Sequence, residues 1–235
     1  MNKGILYLIP TSLGSNELVN TLPSRVMQVI NYIDNYVVEN VKSAVQFLKL
    51  AGIVKKVQDL SFSVLNVDTG NEMIPRLLQP ALEGKNIGLL SEAGVPCVAD
   101  PGAKLVAVAH ESGIKVIPLV GPSSIILALM ASGLNGQNFA FNGYLPIERK
   151  KRKLRLLELQ KIILATGQTQ IIIEAPHRND NLMTDIIGSC ASRLKLCMAV
   201  DLTMESESIT TQTIENWKLH SRVIGKKPAI FLLGK

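Results

Sequence analysis

The sequence predicts an α/β protein in two parts, with a parallel sheet in the N-terminal part and a mixed sheet in the C-terminal part. Three observations predict this. Through the first half, short apolar runs alternate with helix-period segments, the pattern of a parallel sheet covered by helices on both faces. Each run ends in a turn built from Gly, Pro, Ser or Asn. The late apolar runs at 196–201, 209–217 and 229–233 follow one another with little helix between them, which suggests a mixed sheet. The break is expected near Gly121-Pro122, giving parts 1–120 and 121–235.

The elements follow in order. Residues 5–9 form a strand stopped by Pro10, and Pro23-Ser24 starts a helix over 23–33. Tyr36-Val37-Val38 is a strand, followed by Glu39-Asn40 and a helix over 41–50 that Gly52 stops. Asn71-Glu72 opens a helix toward Gly84 that Pro80 should kink or break. Residues 86–90 form a strand leading into Ser91-Glu92-Ala93-Gly94-Val95-Pro96, after which Pro101-Gly102 starts a helix over 103–111. A strand over 115–120, the turn Gly121-Pro122-Ser123-Ser124 and a helix over 125–131 come next. Beyond them lie helices over 154–165 and 181–187 and strands over 170–173, 196–201, 209–217 and 229–233.

Of the 235 residues, 47% are hydrophobic and 19% charged, enough apolar material for one large or two modest cores and too much for low-complexity disorder. The formal charge of +6 is not spread evenly. Between Arg149 and Arg155 stand six basic residues and no acidic one, which leaves 19 basic against 19 acidic side chains elsewhere. Cys97, Cys190 and Cys197 show no C-x-x-C spacing and the three histidines are scattered, so neither a disulfide framework nor a metal site is expected. A reducing cytoplasm is the simplest location. The uncharged stretch 116–147 is cut by Gly121-Pro122 and Ser132-Gly133 and falls short of the ~20 apolar residues of a membrane span.

Ligands of open parallel sheets bind beyond the carboxyl ends of the strands, and the Gly/Pro/Ser turns sit there. No G-x-G-x-x-G, G-x-x-x-x-G-K-[ST] or G-x-S-x-G pattern is present, which argues against common dehydrogenases, NTPases and hydrolases of this architecture.

Five motifs narrow the choice: Leu6 to Gly14, Ser91 to Pro96 with Asp100-Pro101-Gly102, Val120 to Ser124, Asn142-Gly143-Tyr144-Leu145-Pro146, and Glu174-Ala175-Pro176-His177-Arg178. In order and spacing they resemble the ribosomal RNA small-subunit methyltransferase I group of the tetrapyrrole methylase superfamily. The resemblance implies a two-domain enzyme, usually a homodimer, holding S-adenosylmethionine in a cleft between the domains largely through backbone contacts. By matching position, the cofactor contacts would be Leu13, Ser91, Gly94, Pro96, Val98, Ser123 and Ser124, completed by Ala175 and Pro228. Members of the ribosomal group methylate a ribose 2′-oxygen in small-subunit rRNA.

Three departures stand out. Glu39-Asn40-Val41-Lys42-Ser43 replaces an acidic-Asp-Thr-Arg cluster, Glu92 stands where Asp is usual, and the chain stops at Lys235 without the extension many ribosomal members carry. Glu39, Glu92 and His177 are candidates for proton transfer, although each has an ordinary structural explanation as a cap or turn residue. The basic run also has two readings, a solvated helix start or a grip on RNA phosphates through Arg149, Lys150, Lys151, Arg152 and Lys153. Positive charge at a helix N-terminus opposes the macrodipole, which favours the second. An aromatic content of 4% suggests phosphate contact rather than base stacking. A small-molecule tetrapyrrole methylase and a non-catalytic RNA-binding relative remain as alternatives.

Overall fold

The computed structural model describes residues 2–220 and 223–235 and divides into two compact units, Met1–Ser123 and Ser124–Lys235. The first unit runs β1 (Ile5–Ile9), α1 (Ser24–Ile30), β2 (Asn35–Val38), α2 (Val41–Leu50), β3 (Ser61–Val64), α3 (Ile74–Leu77), α4 (Gln79–Leu82), β4 (Ile87–Leu90), α5 (Gly102–Glu111) and β5 (Lys115–Pro118). Its sheet has the order β3-β2-β4-β1-β5 and is parallel throughout. Side chains alternate across it with period two. Tyr7, Ile9, Tyr36, Val38 and Leu90 pack with α1 and α2 on one face, while Leu6, Val37, Ile87 and Leu89 pack with α3, α4 and α5 on the other. From the adjacent strands β1 and β4 the chain therefore leaves toward opposite faces, which opens a crevice at their carboxyl ends.

The second unit runs α6 (Ser124–Ser132), β6 (Phe139–Tyr144), α7 (Arg149–Thr166), β7 (Thr169–Ile173), α8 (Asn179–Ser189), β8 (Lys195–Val200), β9 (Ser208–Thr213), α9 (Ile214–Leu219) and β10 (Ala229–Gly234). Its sheet is mixed, in the order β6-β7-β10-β8-β9, with β6 and β7 parallel and the other pairs antiparallel. Leu156, Leu159 and Ile163 of α7, Leu182 and Ile186 of α8, and Ile214 and Trp217 of α9 cover one face. On the other, α6 is tied down where Thr211 Oγ1 donates to the Ser132 carbonyl at 2.7 Å.

The predicted class holds, with local corrections. The segment 209–217, read as one strand, is a strand and a helix: the Thr213 side chain accepts from Asn216 N–H at 3.2 Å and starts α9. Ile214 and Trp217 then meet the core three residues apart, as a helix and not a strand requires. Strands β3 and β6 were not anticipated. The helix expected over 71–83 is a 3-10 turn, Asn71–Met73, followed by the short α3 and α4, with Pro80 in the first turn of α4, where its missing N–H costs least. Among the described residues no helix is long and apolar enough to cross a membrane, and no group of His, Cys, Asp or Glu is gathered that could hold a metal ion.

Candidate functional site

The carboxyl ends of the neighbouring strands β4, β1 and β5 carry most of the residues singled out in the first unit. Pro10 to Gly14 follows β1, Ser91 to Gly102 follows β4, and Leu119 to Ser123 follows β5. These segments are stitched together by backbone. Thr11 N–H donates to the Gly94 carbonyl at 2.9 Å, Gly94 N–H to the Ser12 carbonyl at 3.4 Å, and Leu119 N–H to the Leu8 carbonyl at 3.0 Å. Buried Ser91 adds its hydroxyl to the Gly94 carbonyl. At Gly94 φ is +74°, and a Cβ there would lie 2.9 Å from Leu13 Cδ2 and 3.0 Å from the Pro122 carbonyl oxygen. Leu13, Gly94 and the residue before Ser123 are thus packed so closely that only glycine fits between them. Pro96 is buried beside it and Val98 is exposed. Val98 is flanked by Cys97 and Ala99, both left-handed at φ +69° and +63°, so this loop stores strain of the kind found at ligand sites.

Asp100 holds that loop. Its carboxylate accepts from Cys97 N–H at 2.8 Å and from Gly102 N–H at 2.8 Å. Burial, and then the Asp100 charge, push the Cys97 thiol up to about 12, so it is a structural and not a reactive cysteine.

Two of the departures meet each other here. Asn40 caps α2, accepting from Lys42 N–H at 2.8 Å and Ser43 N–H at 3.3 Å, a role that Asp fills equally well. Ser43 Oγ donates to Glu92 Oε1 at 2.7 Å, so the altered segment and the longer acid are in direct contact. Glu39 is half-buried at the end of β2, and burial, followed by the charges of Asp100 and Glu92, raises its carboxyl above the usual carboxylate range. Replacing Asn40 with Ala is expected to cost about 1 kcal/mol, whereas Asn40→Asp should be neutral to slightly stabilising by helix-dipole attraction. Chemical denaturation of the two variants checks this, and equal losses would contradict the capping role.

In the second unit, Ile173 of β7 is the partner of Ile230 in β10. Ala175, two residues beyond Ile173, and Pro228, two before Ile230, are therefore brought to the same end of these two neighbouring strands. Asp201, after β8, joins them through its N–H to the Pro228 carbonyl at 3.0 Å. Burial alone would raise the Asp201 carboxyl, but hydrogen bonds from Lys227 and Ser206 outweigh it and hold the value below the usual range. Buried Glu174 accepts from Ala175 N–H at 2.7 Å and from the Arg178 guanidinium, while Arg178 N–H donates to the Ala175 carbonyl at 2.8 Å. With both backbone groups of Ala175 engaged, its remaining contribution to a ligand is chiefly apolar. His177 is exposed in the turn between β7 and α8.

The basic run does not act as one surface. Arg152 is only 5% exposed and Asp185 only 1%. Arg152 Nε and Nη2 donate to Asp185 Oδ2 at 2.9 and 2.6 Å, and Nη1 donates to the Ile147 carbonyl at 2.9 Å. This corrects the expectation for Arg152: a buried guanidinium with these partners is a structural cation and cannot reach a phosphate. Arg149 Nε donates to Asp185 Oδ1 at 2.8 Å from an otherwise exposed side chain, and Lys151 pairs with Glu148 at 2.8 Å. Arg155 donates to Asn142 and Glu158. Lys150 is exposed and Lys153 lies 3.9 Å from Asp185. Positive charge at the start of α7 is thus countered by one buried acid from α8. Sequence reasoning missed Asp185 because it stands 33 positions from Arg152 with no local signal. It also passed over Thr11, whose only mark was its place in the first motif.

A family model described as Tetrapyrrole (Corrin/Porphyrin) Methylases matches residues 15–217. The ribosomal RNA small subunit methyltransferase I of Vibrio cholerae serotype O1 is 33% identical over 87% of this chain and 67% of its own length. The protein of the same name from Halalkalibacterium halodurans is 32% identical over 96% of this chain and 74% of its own. Among solved structures, the methyltransferase CobJ superposes with a TM-score of 0.66 at 13% identity, covering 99% of this chain and 94% of that one. Uroporphyrin-III-C-methyltransferase from Thermus thermophilus gives 0.58 at 19% identity, covering 99% and 92%. These two likenesses speak to the fold alone.

Proposed function

This chain belongs to the tetrapyrrole methylase family, and from that premise we propose that it transfers a methyl group from S-adenosylmethionine to a ribose 2′-oxygen of small-subunit rRNA. The observation that carries the reading is the convergence of the loops after β1, β4 and β5, tied together by backbone at Gly94. They meet at the strand ends where the fold accepts ligands, and their Gly, Pro and Ser residues suit a donor approached closely by backbone. Leu13, Ser91, Gly94, Pro96, Val98 and Ser123 would hold the donor in the first unit. The rRNA acceptor is supported by the relatives' names and by the cations Arg149, Lys150, Lys151 and Lys153 that remain at the start of α7.

The donor supplies an electrophilic methyl group on a sulfonium. The protein's part is to hold the acceptor hydroxyl in line with it, and orientation of that kind is worth about 7–11 kcal/mol in favourable systems. Of the three proton-transfer candidates, Glu39 has the setting that suits a base. Burial, then the charges of Asp100 and Glu92, raise its proton affinity above that of an ordinary carboxylate.

The test pairs calorimetry with S-adenosylmethionine and a transfer assay on small ribosomal subunits lacking the modification, with the methylated nucleotide mapped by mass. Saturable donor binding and one new 2′-O-methyl group are expected. Transfer to a porphyrinoid with none to rRNA would replace the acceptor, and absence of donor binding would remove the reading. With Arg152 buried and Arg155 bonded to Asn142 and Glu158, the four cations Arg149, Lys150, Lys151 and Lys153 are counted for phosphates. The slope of log affinity for single-stranded RNA against log salt should then be about −3, shallower than the roughly −4 that all six charges would give.

A further inference from the structure

We propose that Tyr144 is a stacking platform for an unpaired RNA base, set beside the phosphate-facing cations of α7. The inference rests on the RNA reading above and goes beyond it by naming a base contact. The sequence around Tyr144 explains its position. Phe139, Ala140 and Phe141 of β6 pair with Thr169, Gln170 and Ile171, but the next partners are Tyr144 and Ile173, so β6 carries one residue more than β7. Gly143 absorbs it with φ +63°. Such a bulge re-aims the side chain that follows. Tyr144 is 58% exposed, the most exposed of the described aromatic side chains, whereas Leu145 beside it is buried.

The backbone under this ring is anchored on both sides by arginines of the basic run. Arg155 Nη2 donates to Asn142 Oδ1 at 3.2 Å, and Asn142 Nδ2 donates to buried Gln170 at 3.0 Å. On the far side Arg152 Nη1 donates to the Ile147 carbonyl at 2.9 Å. The basic residues therefore fall into two groups. Arg152 and Arg155 hold the segment 142–147 in place, while Arg149, Lys150, Lys151 and Lys153 keep solvent-accessible side chains a few residues further along the chain than Tyr144, Arg149 and Lys151 within ion pairs to Asp185 and Glu148. A rigidly mounted aromatic loses little freedom on binding, and every base has a π-face to offer it. An exposed ring followed along the chain by a row of cations matches the bases and phosphates of a nucleic-acid strand. The low aromatic content points toward phosphate contact, and a single well-placed ring is compatible with it.

The experiment uses the full chain with a short single-stranded RNA carrying 2-aminopurine, read by anisotropy and by quenching of the base. Tyr144→Ala should weaken binding roughly 5- to 150-fold, abolish the quench and leave the salt slope and melting temperature unchanged. Tyr144→Trp should restore both affinity and quench. Lys150→Ala with Lys153→Ala should make the salt slope shallower by about 1.4 while the quench at saturation remains. If the parent protein binds the RNA and Tyr144→Ala binds within twofold of it, the platform is refuted and the RNA reading stands. If the parent protein binds S-adenosylmethionine and no RNA at any salt, both fall together.

Discussion

Replacing Asp185 with alanine is expected to destabilise the second unit by about 3–5 kcal/mol, the usual result of removing one partner from a buried ion pair. The loss arises because Arg152 stays behind, buried, with its Nε and Nη2 protons deprived of their acceptor. Arg152→Met should cost less, and the double variant Asp185→Ala with Arg152→Met should recover a large part of the single loss, since no unpaired charge remains inside. Urea unfolding of the four proteins measures the coupling. A loss below about 1 kcal/mol for Asp185→Ala, where burial predicts several, would show the pair to be inessential.

The same pair sets a pH dependence. Burial alone would raise the Asp185 carboxyl, but hydrogen bonds from Arg149 and Arg152, together with their charges, outweigh it and hold the folded value below the ordinary one. A carboxylate depressed in this way contributes stability that is fully present above its unfolded value of about 3.9. That contribution is lost as pH falls through the lower folded value. The parent protein should therefore lose stability more steeply than the double variant as pH drops below about 4.

The second large effect is expected at Gly94. Gly94→Val places a branched Cβ at φ +74°, 3.0 Å from the Pro122 carbonyl and 2.9 Å from Leu13 Cδ2. The tip of Leu13 can swing aside, but the Pro122 carbonyl is backbone and cannot move without shifting the segment before Ser123. Donor affinity should fall at least tenfold, about 1.4 kcal/mol, and stability by about 1–3 kcal/mol through left-handed strain. Gly133→Ala is the control, because it shares the left-handed backbone at φ +67° with nothing within 4 Å of the added carbon. It should lose about 1 kcal/mol of stability and no donor affinity. Calorimetry showing Gly94→Val within threefold of the parent would remove the Gly94 turn from the donor site.

How much of this was legible depends on how local each cause is. Strand β1 could be read because Ile5 to Ile9 is apolar and Pro10 ends it, and α2 because Asn40 caps it and Gly52 follows it. Strand β3 was missed because it is an edge strand of Ser-Phe-Ser-Val with three of its four residues exposed, which leaves no buried face to imprint a pattern. Strand β6 was missed because Asn142-Gly143 reads as a turn, yet Gly143 forms a bulge inside a strand whose partner comes 25 or more residues later. In the site, the turn residues at the ends of β1, β4 and β5 were visible as motifs. Their convergence on Gly94 was not, since it needs Leu13, Gly94 and Pro122 side by side.

The basic run draws the line most clearly. By itself the sequence determined that the excess charge lies between Arg149 and Arg155 and that a helix starts there, because composition and periodicity are properties of neighbours along the chain. Only the tertiary structure decided which of those cations is buried and which keep exposed side chains. Asp185 reaches Arg149 and Arg152 from another helix, Asn142 reaches Arg155 from a strand, and desolvation of a charge is set by what packs against it in space and not by its place in the sequence.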